Sequence, residues 1–501
     1  MRAYAAGVSE LMKRSFFSRA GLVALAAFFT LALSSCTVYY YFPEHNFAGR
    51  PNPPSLLAQR VLVAIQNPSA LTQGKLEILD GQLDLRTNIQ NTVPEFDISG
   101  YSGDEPYSIQ NFPEQTTGFV YAIGDGSFKE IDYGTEKQAA AIGGLPGISS
   151  SVMISGDFRY IFASNETFGY LTVLDRTTGT NTRLNLPNIY KVATNVGGTV
   201  GLAMTRNSNS IYRVAKLNVN QYLTAASAIA AIPGAVDCEP LNLPVFCAVT
   251  VPGTYDRPAG AYFSLDGNTV YILNCGPECG GTKASVSFLP IAGLNINNLA
   301  TTVPNPNVPT VTVPIPGGAT DAISDGTTLY VSGQQLQPDG NFAGFMTTVN
   351  LASQKITGTY SISDGNHTKM LFADDNSLWI GSQLCATGER FAQAQAHPGS
   401  TANQYDYNCL TRFDLTTKAA LVVPSVPIPL HLQNSNADPN YYGDLTGICW
   451  VQNWHKVYTA YGGQIHAFNT IDGSERDNTN ITVQGTAMDV AYMDALTNAA
   501  D

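Results

Sequence analysis

The sequence predicts an all-β fold, a β-propeller of four-stranded blades, seven or eight in number, with the ring closed by N- and C-terminal strands. Three observations carry that expectation. Short runs of alternating apolar residues, such as Tyr170-Leu171-Thr172-Val173-Leu174, recur along the chain, and no segment shows a helical stripe. The runs come in groups of four, and the third run of each group ends 43 to 72 residues after that of its predecessor. Only 13% of the 501 residues are charged, against a usual value of roughly 25%. With 25 Tyr and 22 Phe, that composition excludes coiled coils and disordered tails. The net charge of −13 and a pI near 4.9 argue against phosphate-driven binding, so no nucleic-acid partner is expected.

The first element is an address. Residues 21–33 read GLVALAAFFTLAL, too short to span a membrane and the right length for a signal-peptide core. Lys13, Arg14 and Arg19 precede it, and Leu33-Ser34-Ser35-Cys36 follows. That order resembles the bacterial lipobox, which implies cleavage before Cys36 and lipid attachment to it. Residues 1–35 then form a lipoprotein signal peptide, and the mature chain carries 22 basic against 38 acidic residues, or −16. Acyl chains on Cys36, palmitate among them, would anchor the protein to a membrane without a spanning segment. Thr37, in place of Asp, implies outer-membrane sorting by the same resemblance, with the periplasmic or surface side left open. Residues 36–57, with Tyr39-Tyr40-Tyr41 and Pro51, Pro53 and Pro54, read as an extended tether.

The propeller is expected over 58–494, with a short tail at 495–501. Eight third-strand ends can be placed, near Asp80, Asp132, Asp175, Asn218, Pro290, Asn350, Asp414 and Asn469. The first unit, 58–90, lacks an inner strand, and Thr486–Tyr492 reads as an orphan inner strand. Pairing the two closes the ring and removes exposed edges. The repeat Ser264-Leu265-Asp266-Gly267-Asn268-Thr269-Val270-Tyr271-Ile272, with the ending Val173–Gly179, resembles the propellers named for a Tyr-Val-Thr-Asn repeat and the related lactonase-like propellers. Seven blades are usual in those families. Such motifs specify fold well and activity poorly.

Beyond Cys36 there are seven cysteines, and an oxidising compartment makes disulfides the expected state. Near neighbours in sequence pair as Cys238–Cys247, Cys275–Cys279 and Cys385–Cys409, leaving Cys449 as a buried thiol. Zinc needs a second half-site beside Cys275-x₃-Cys279, and none follows it.

Turns such as Leu265-Asp266-Gly267-Asn268 and Thr416-Thr417-Lys418 are tight and belong to one face of the ring. The insertions 274–284, 381–409, 232–258, 294–317 and 424–445 are assigned to the opposite face, as strand 2–3 loops or blade links, with all three disulfides. Rigid scaffolds present function on such loops. His367, Arg257, Asp321 and Asp444 fall at comparable places near the central channel mouth on that face, and are the candidate catalytic residues. Lactonase-like propellers use His, Arg and acidic residues near this channel, but their Gly-Pro-Arg-His segment is absent, and only Arg257-Pro258 stands near its place.

Asn434-x-Asn436-x-Asp438-x-Asn440 spaces oxygen ligands as Ca²⁺ loops do, without the sixth-position Gly or twelfth-position Glu. No other metal or cofactor is called for. Tyr- and Asn-rich loops at Gln404–Asn408 and Tyr441-Tyr442 suit a protein or carbohydrate ligand. Two function classes follow. One is a cell-envelope, lipid-anchored binding or scaffold module acting through its loop-rich face. The other is an extracytoplasmic hydrolase, lactonase-like or metal-dependent, with its site at the channel mouth.

Overall fold

Alternation puts successive side chains on opposite faces of a strand, and here both faces are apolar, so each sheet needs a neighbour on either side. The computed structural model describes residues 52–67, 73–86, 96–112, 116–143, 145, 149, 151–217, 224–239, 244–299, 311–338, 340–385, 408–424, 442–476 and 481–496. Residues 21–33 and Cys36 lie outside them.

Eight antiparallel sheets form the ring. Blade 1 holds β1 (Arg60–Gln66) and β2 (Gly74–Asp80). Blade 2 holds β3 (Pro106–Asn111), β4 (Thr117–Ala122), β5 (Ser127–Asp132) and β6 (Lys137–Ile142). Blade 3 holds β7 (Ser151–Ile154), β8 (Tyr160–Asn165), β9 (Tyr170–Asp175) and β10 (Thr180–Asn185). Blade 4 holds β11 (Ile189–Thr194), β12 (Gly201–Thr205) and β13 (Ile211–Leu217), then the helix α1 (Ala225–Ala231) and two further strands, β14 (Ala235–Glu239) and β15 (Val245–Thr250).

Blade 5 holds β16 (Pro258–Phe263), β17 (Thr269–Asn274), β18 (Ser285–Pro290) and β19 (Val311–Pro314). Blade 6 holds β20 (Asp321–Ser324), β21 (Thr328–Leu336), β22 (Phe342–Asn350) and β23 (Lys355–Ser361). Blade 7 holds β24 (Asn366–Ala373), β25 (Ser377–Gln383), β26 (Leu410–Asp414) and β27 (Ala420–Val423). Blade 8 holds β28 (Leu445–Val451), β29 (Lys456–Tyr461) and β30 (Gln464–Asn469). The last strand, β31 (Thr486–Tyr492), returns to blade 1 and pairs with β1, from Val61 opposite Tyr492 to Gln66 opposite Thr486. Blades 1 and 8 replace the fourth strand with single bridges, Glu77 to Asp97 and Phe468 to Glu475.

The eight third strands end at or within one residue of the positions marked in the sequence. The blade number is eight, and the N- and C-terminal pairing that the sequence predicts is present.

The core is a set of layers between blades. Val61, Val63 and Ile65 of β1 pack with Tyr458, Ala460 and Ile465 of blade 8, while Leu62 and Ala64 pack with Val120 and Ile131 of blade 2. The same alternation fills the other six junctions. Cys449 remains a thiol buried in the layer between blades 8 and 1.

Two insertions depart from expectation. Residues 232–258 are not simply a blade link, because they contain β14 and β15, which widen blade 4 to five strands. Residues 295–310 are the strand 3–4 connection of blade 5, and its described part, 295–299, lies on the tight-turn face, where Ile296 exchanges hydrogen bonds with Thr199 and Lys216. The four-residue strand β19 has three of its side chains exposed, which gave it no apolar signature to read. The other long insertions, 274–284, 381–409 and 424–445, begin and end on the opposite face, at blades 5 and 7 and the link that follows blade 7.

Candidate functional site

Two of the three disulfides stand in this elaborated sector. Cys275–Cys279 spans a single 3₁₀ turn, Gly276–Cys279, which brings the Cα atoms to 5.6 Å, an ordinary separation. Cys385–Cys409 closes the long loop between β25 and β26, with Cα atoms 5.4 Å apart. The third, Cys238–Cys247, joins directly opposed residues of β14 and β15, so it staples the outer edge of blade 4, away from the loop-rich face. Cross-strand pairing of an inserted ribbon, which the intervening sequence does not announce, decided that placement.

The four candidate residues sit at the loop-rich ends of the inner strands or their links, on blades 5, 6, 7 and 8 in turn. Each is engaged locally. Arg257, in the left-handed region at φ 55°, donates from Nε and Nη2 to the carbonyl of Gly280 at 3.3 and 3.2 Å. Its neighbour Asp256 accepts from Thr282 N, Thr282 Oγ1 and Lys283 N at 2.7–2.8 Å. The pair thus braces the Cys275–Cys279 loop. Asp444 accepts from Leu384 N at 2.7 Å and so holds the start of the Cys385–Cys409 loop.

His367 is buried, with Nε2 2.8 Å from the carbonyl of Ser363, and Nδ1 has no hydrogen-bond partner. Burial pushes its imidazole down to about 4. Between about 4 and 6.5 the unfolded chain binds a proton there that the folded ring does not. Stability is therefore lost as pH falls through that window. His367→Asn should remove this component. The gap in melting temperature between wild type and variant should narrow from pH 7 to pH 5, and a gap independent of pH would refute the assignment.

Asp321 opens the inner strand β20 of blade 6. Burial pushes its carboxyl up to about 6, opposed by the charges of Lys191 and Lys369. Lys369 of blade 7 also reaches past blade 8 to Asp489 of β31, with Nζ 3.3 Å from Oδ1. Asp489 is buried, accepts from Ile109 N of blade 2 at 2.9 Å, and has its carboxyl pushed up by burial. Gly447 of β28 makes room for this crossing, since a Cβ there would stand 2.4 Å from Asp489 Oδ1. Lys191 and Lys369 thus act on Asp321, and Lys369 on Asp489, across four blades, and of these residues only Asp321 was singled out in the sequence. Among the described residues, no group of three His, Cys, Asp or Glu side chains is placed to hold a metal ion. Asn434, Asn436, Asp438 and Asn440 lie outside the described residues, as do Gln404–Tyr407 and Tyr441.

The sector also holds a recess of about 290 Å³ between blades 5 and 6. One wall is the disulfide loop, with Pro277, Glu278, Thr282 and Lys283. The link into blade 6 forms the floor, through Pro314 to Gly318. Gln334, Leu336 and Phe342 close it, where β21 and β22, nine residues each, outrun their sheet as a hairpin. Burial pushes the Glu278 carboxyl up to about 7, against a hydrogen bond from the backbone N–H of Gln334. An acid inside a four-residue cystine loop was the one sequence signal for this residue.

No protein-family model matches the chain, and no curated protein matches it in sequence. Solved structures that resemble it include the dihydro-heme d1 dehydrogenase NirN in complex with DHE, at 12% identity and a TM-score of 0.49, covering 89% of this chain and 79% of that one. Another is the hydrazine synthase of Kuenenia stuttgartiensis, at 14% identity and 0.44, covering 77% and 100%. A third is a 6-phosphogluconolactonase-like protein from Bacteroides uniformis, at 11% identity and 0.41, covering 87% and 99%. At these identities, what the chain has in common with them is fold alone.

Proposed function

We propose that this protein is a cell-envelope binding module, lipid-anchored through Cys36, that recognises its ligand through the loop-rich face of blades 5 to 7. One observation carries the reading: cystine-closed loops on blades 5 and 7 flank an overlong hairpin on blade 6, and a recess lies between the first of those loops and the hairpin. Disulfides and side-chain braces lower the ordering cost of long loops, which suits them to recognition. The hydrolase reading is less well supported, because Arg257 and Asp444 are occupied in bracing those loops and His367 is buried. The resemblance to lactonase-like propellers thus extends to the blade repeat, and the lipobox supports an outer-membrane address.

Replacing residues 386–407 with a short Gly-Ser linker tests the reading. The variant should keep the wild-type circular dichroism and cooperative melting, yet lose retention on immobilised envelope polysaccharide or envelope protein fractions that hold the wild type. Equal retention would defeat it. Cys36→Ala should move the protein from the membrane fraction to the soluble fraction, and unchanged anchoring would remove the lipid from the proposal.

A further inference from the structure

The recess between blades 5 and 6 combines two features. Its walls are largely apolar, with Pro277, Pro314, Ile315, Pro316, Leu336 and Phe342. Within them sits a carboxylate, Glu278, and among the described residues no Lys, Arg or His forms an ion pair with it. Taking a carboxylate out of water is costly unless an opposite charge or several donors replace the lost hydration. The carboxylate is held close to the floor: a Cβ on Gly318 would stand 2.4 Å from Glu278 Oε2 and 2.9 Å from the Cys275 carbonyl oxygen, so a larger residue there would have to displace both. The loop that presents it is fixed by the Cys275–Cys279 bond and by the contacts of Asp256 and Arg257 with residues 280–283.

We propose that this recess binds a small organic ammonium ion, its apolar body against Leu336, Phe342 and the prolines and its ammonium on the Glu278 carboxylate. The inference rests on the reading of this face as a binding surface and names the ligand chemistry of one part of it. Size agrees, since about 290 Å³ is at the lower end of small-molecule sites and admits a phenylalkylamine. Charge agrees too. An incoming cation supplies the ion-pair partner that Glu278 lacks among the described residues, since Lys283, the one cation in the lining, forms no ion pair with it, whereas an anion would meet the carboxylate directly. Lys283 stands at the wall and Asp256 accepts from the backbone behind it. Neither the floor nor the β21–β22 hairpin adds a charged side chain to the lining.

Glu278 must be ionised to hold the ammonium. Below about 7 its carboxyl takes up a proton, so affinity should fall as pH is lowered and level off above that value.

The test is calorimetric titration of the full-length, detergent-solubilised protein at low salt with 2-phenylethylamine, 2-phenylethanol and phenylacetate. At pH 8 the amine should bind at least about tenfold tighter than the alcohol, and the anion more weakly than either. Between pH 8 and pH 6 the amine should lose about tenfold, while the alcohol stays constant. Glu278→Gln should bring the amine to the level of the alcohol and abolish its pH dependence. Phe342→Ala should weaken both alike, with cooperative melting showing that the ring is intact. Equal affinity of amine and alcohol, an amine preference that survives Glu278→Gln, or no saturable binding of the amine would each overturn the proposal. Retention on envelope fractions by a Glu278→Gln protein would then show that only this inference falls, with the broader reading of the face standing.

Discussion

Removing residues 484–501 is expected to abolish cooperative folding of the ring. The deletion takes away β31, the inner strand of blade 1, and leaves β1 with an open edge across its whole length. It also strips both neighbouring layers. Ala487, Val490 and Tyr492 belong to the layer against blade 8, and Met493 to the layer against blade 2. Full burial of large apolar side chains contributes about 1.5–3 kcal/mol each, and a whole domain is stable by only about 5–15 kcal/mol. Asp489 leaves as well, and with it the contacts to Ile109 and Lys369 that tie blades 2 and 7 to blade 1. Thermal melting followed by circular dichroism should show loss of the cooperative transition. An unchanged melt would mean that the ring does not depend on this closure.

Arg60→Ala should produce the largest loss from a single substitution, about 3–5 kcal/mol, the range for removing one partner from a buried charge cluster. Arg60 opens β1, and its guanidinium is buried between Asp494, just past β31, and Glu136 in the strand 3–4 turn of blade 2. It meets Asp494 from both Nε and Nη2, at 3.2 and 2.7 Å, and Glu136 and the Tyr133 carbonyl from Nη1. One side chain therefore joins the first strand, the chain end and the neighbouring blade. Its loss leaves two buried carboxylates without their countercharge. Denaturant unfolding should show a lowered midpoint with an unchanged slope, and Arg60→Lys should recover only part of it, because an ammonium lacks the planar fork that reaches both acids. A shift below about 1 kcal/mol would show that the cluster is a surface pair in effect.

Strand positions were legible because a propeller repeats one local rule, while the blade number, seven or eight by sequence, was fixed at eight by the structure. Each strand alternates between two apolar faces, each turn carries Asp, Asn or Gly, and the unit recurs every 43 to 72 residues. Val173, Tyr271 and Phe413 announce their strands by pattern alone. Short or exposed pieces carry no such pattern. Val311–Pro314 is a strand only because Val286 and its neighbours present a free edge to it. Ala235–Glu239 is a strand only because Cys247 lies opposite Cys238.

The candidate site was legible as a region and not as a set of roles. His367, Arg257, Asp321 and Asp444 do fall at equivalent places on four successive blades. Sequence position cannot tell a side chain that faces the channel from one that turns back to a nearby loop carbonyl or amide, which is what Arg257 and Asp444 do. Glu278 and the charges at Lys191, Lys369 and Asp489 gain their character from partners far away in the chain.

The sequence by itself determined the β-propeller, the eight units, the pairing of its two ends, the three cystines and the expectation of a lipid anchor at Cys36. These follow from period, alternation and local spacing, all of which are written along the chain. Tertiary structure alone decided which insertions lie on which face, that one cystine staples an outer edge, and that Glu278 lies within an apolar recess. Those properties depend on burial and on countercharges supplied by other blades. Solvation and Coulomb energy act through space, so residues dozens of positions apart set them together.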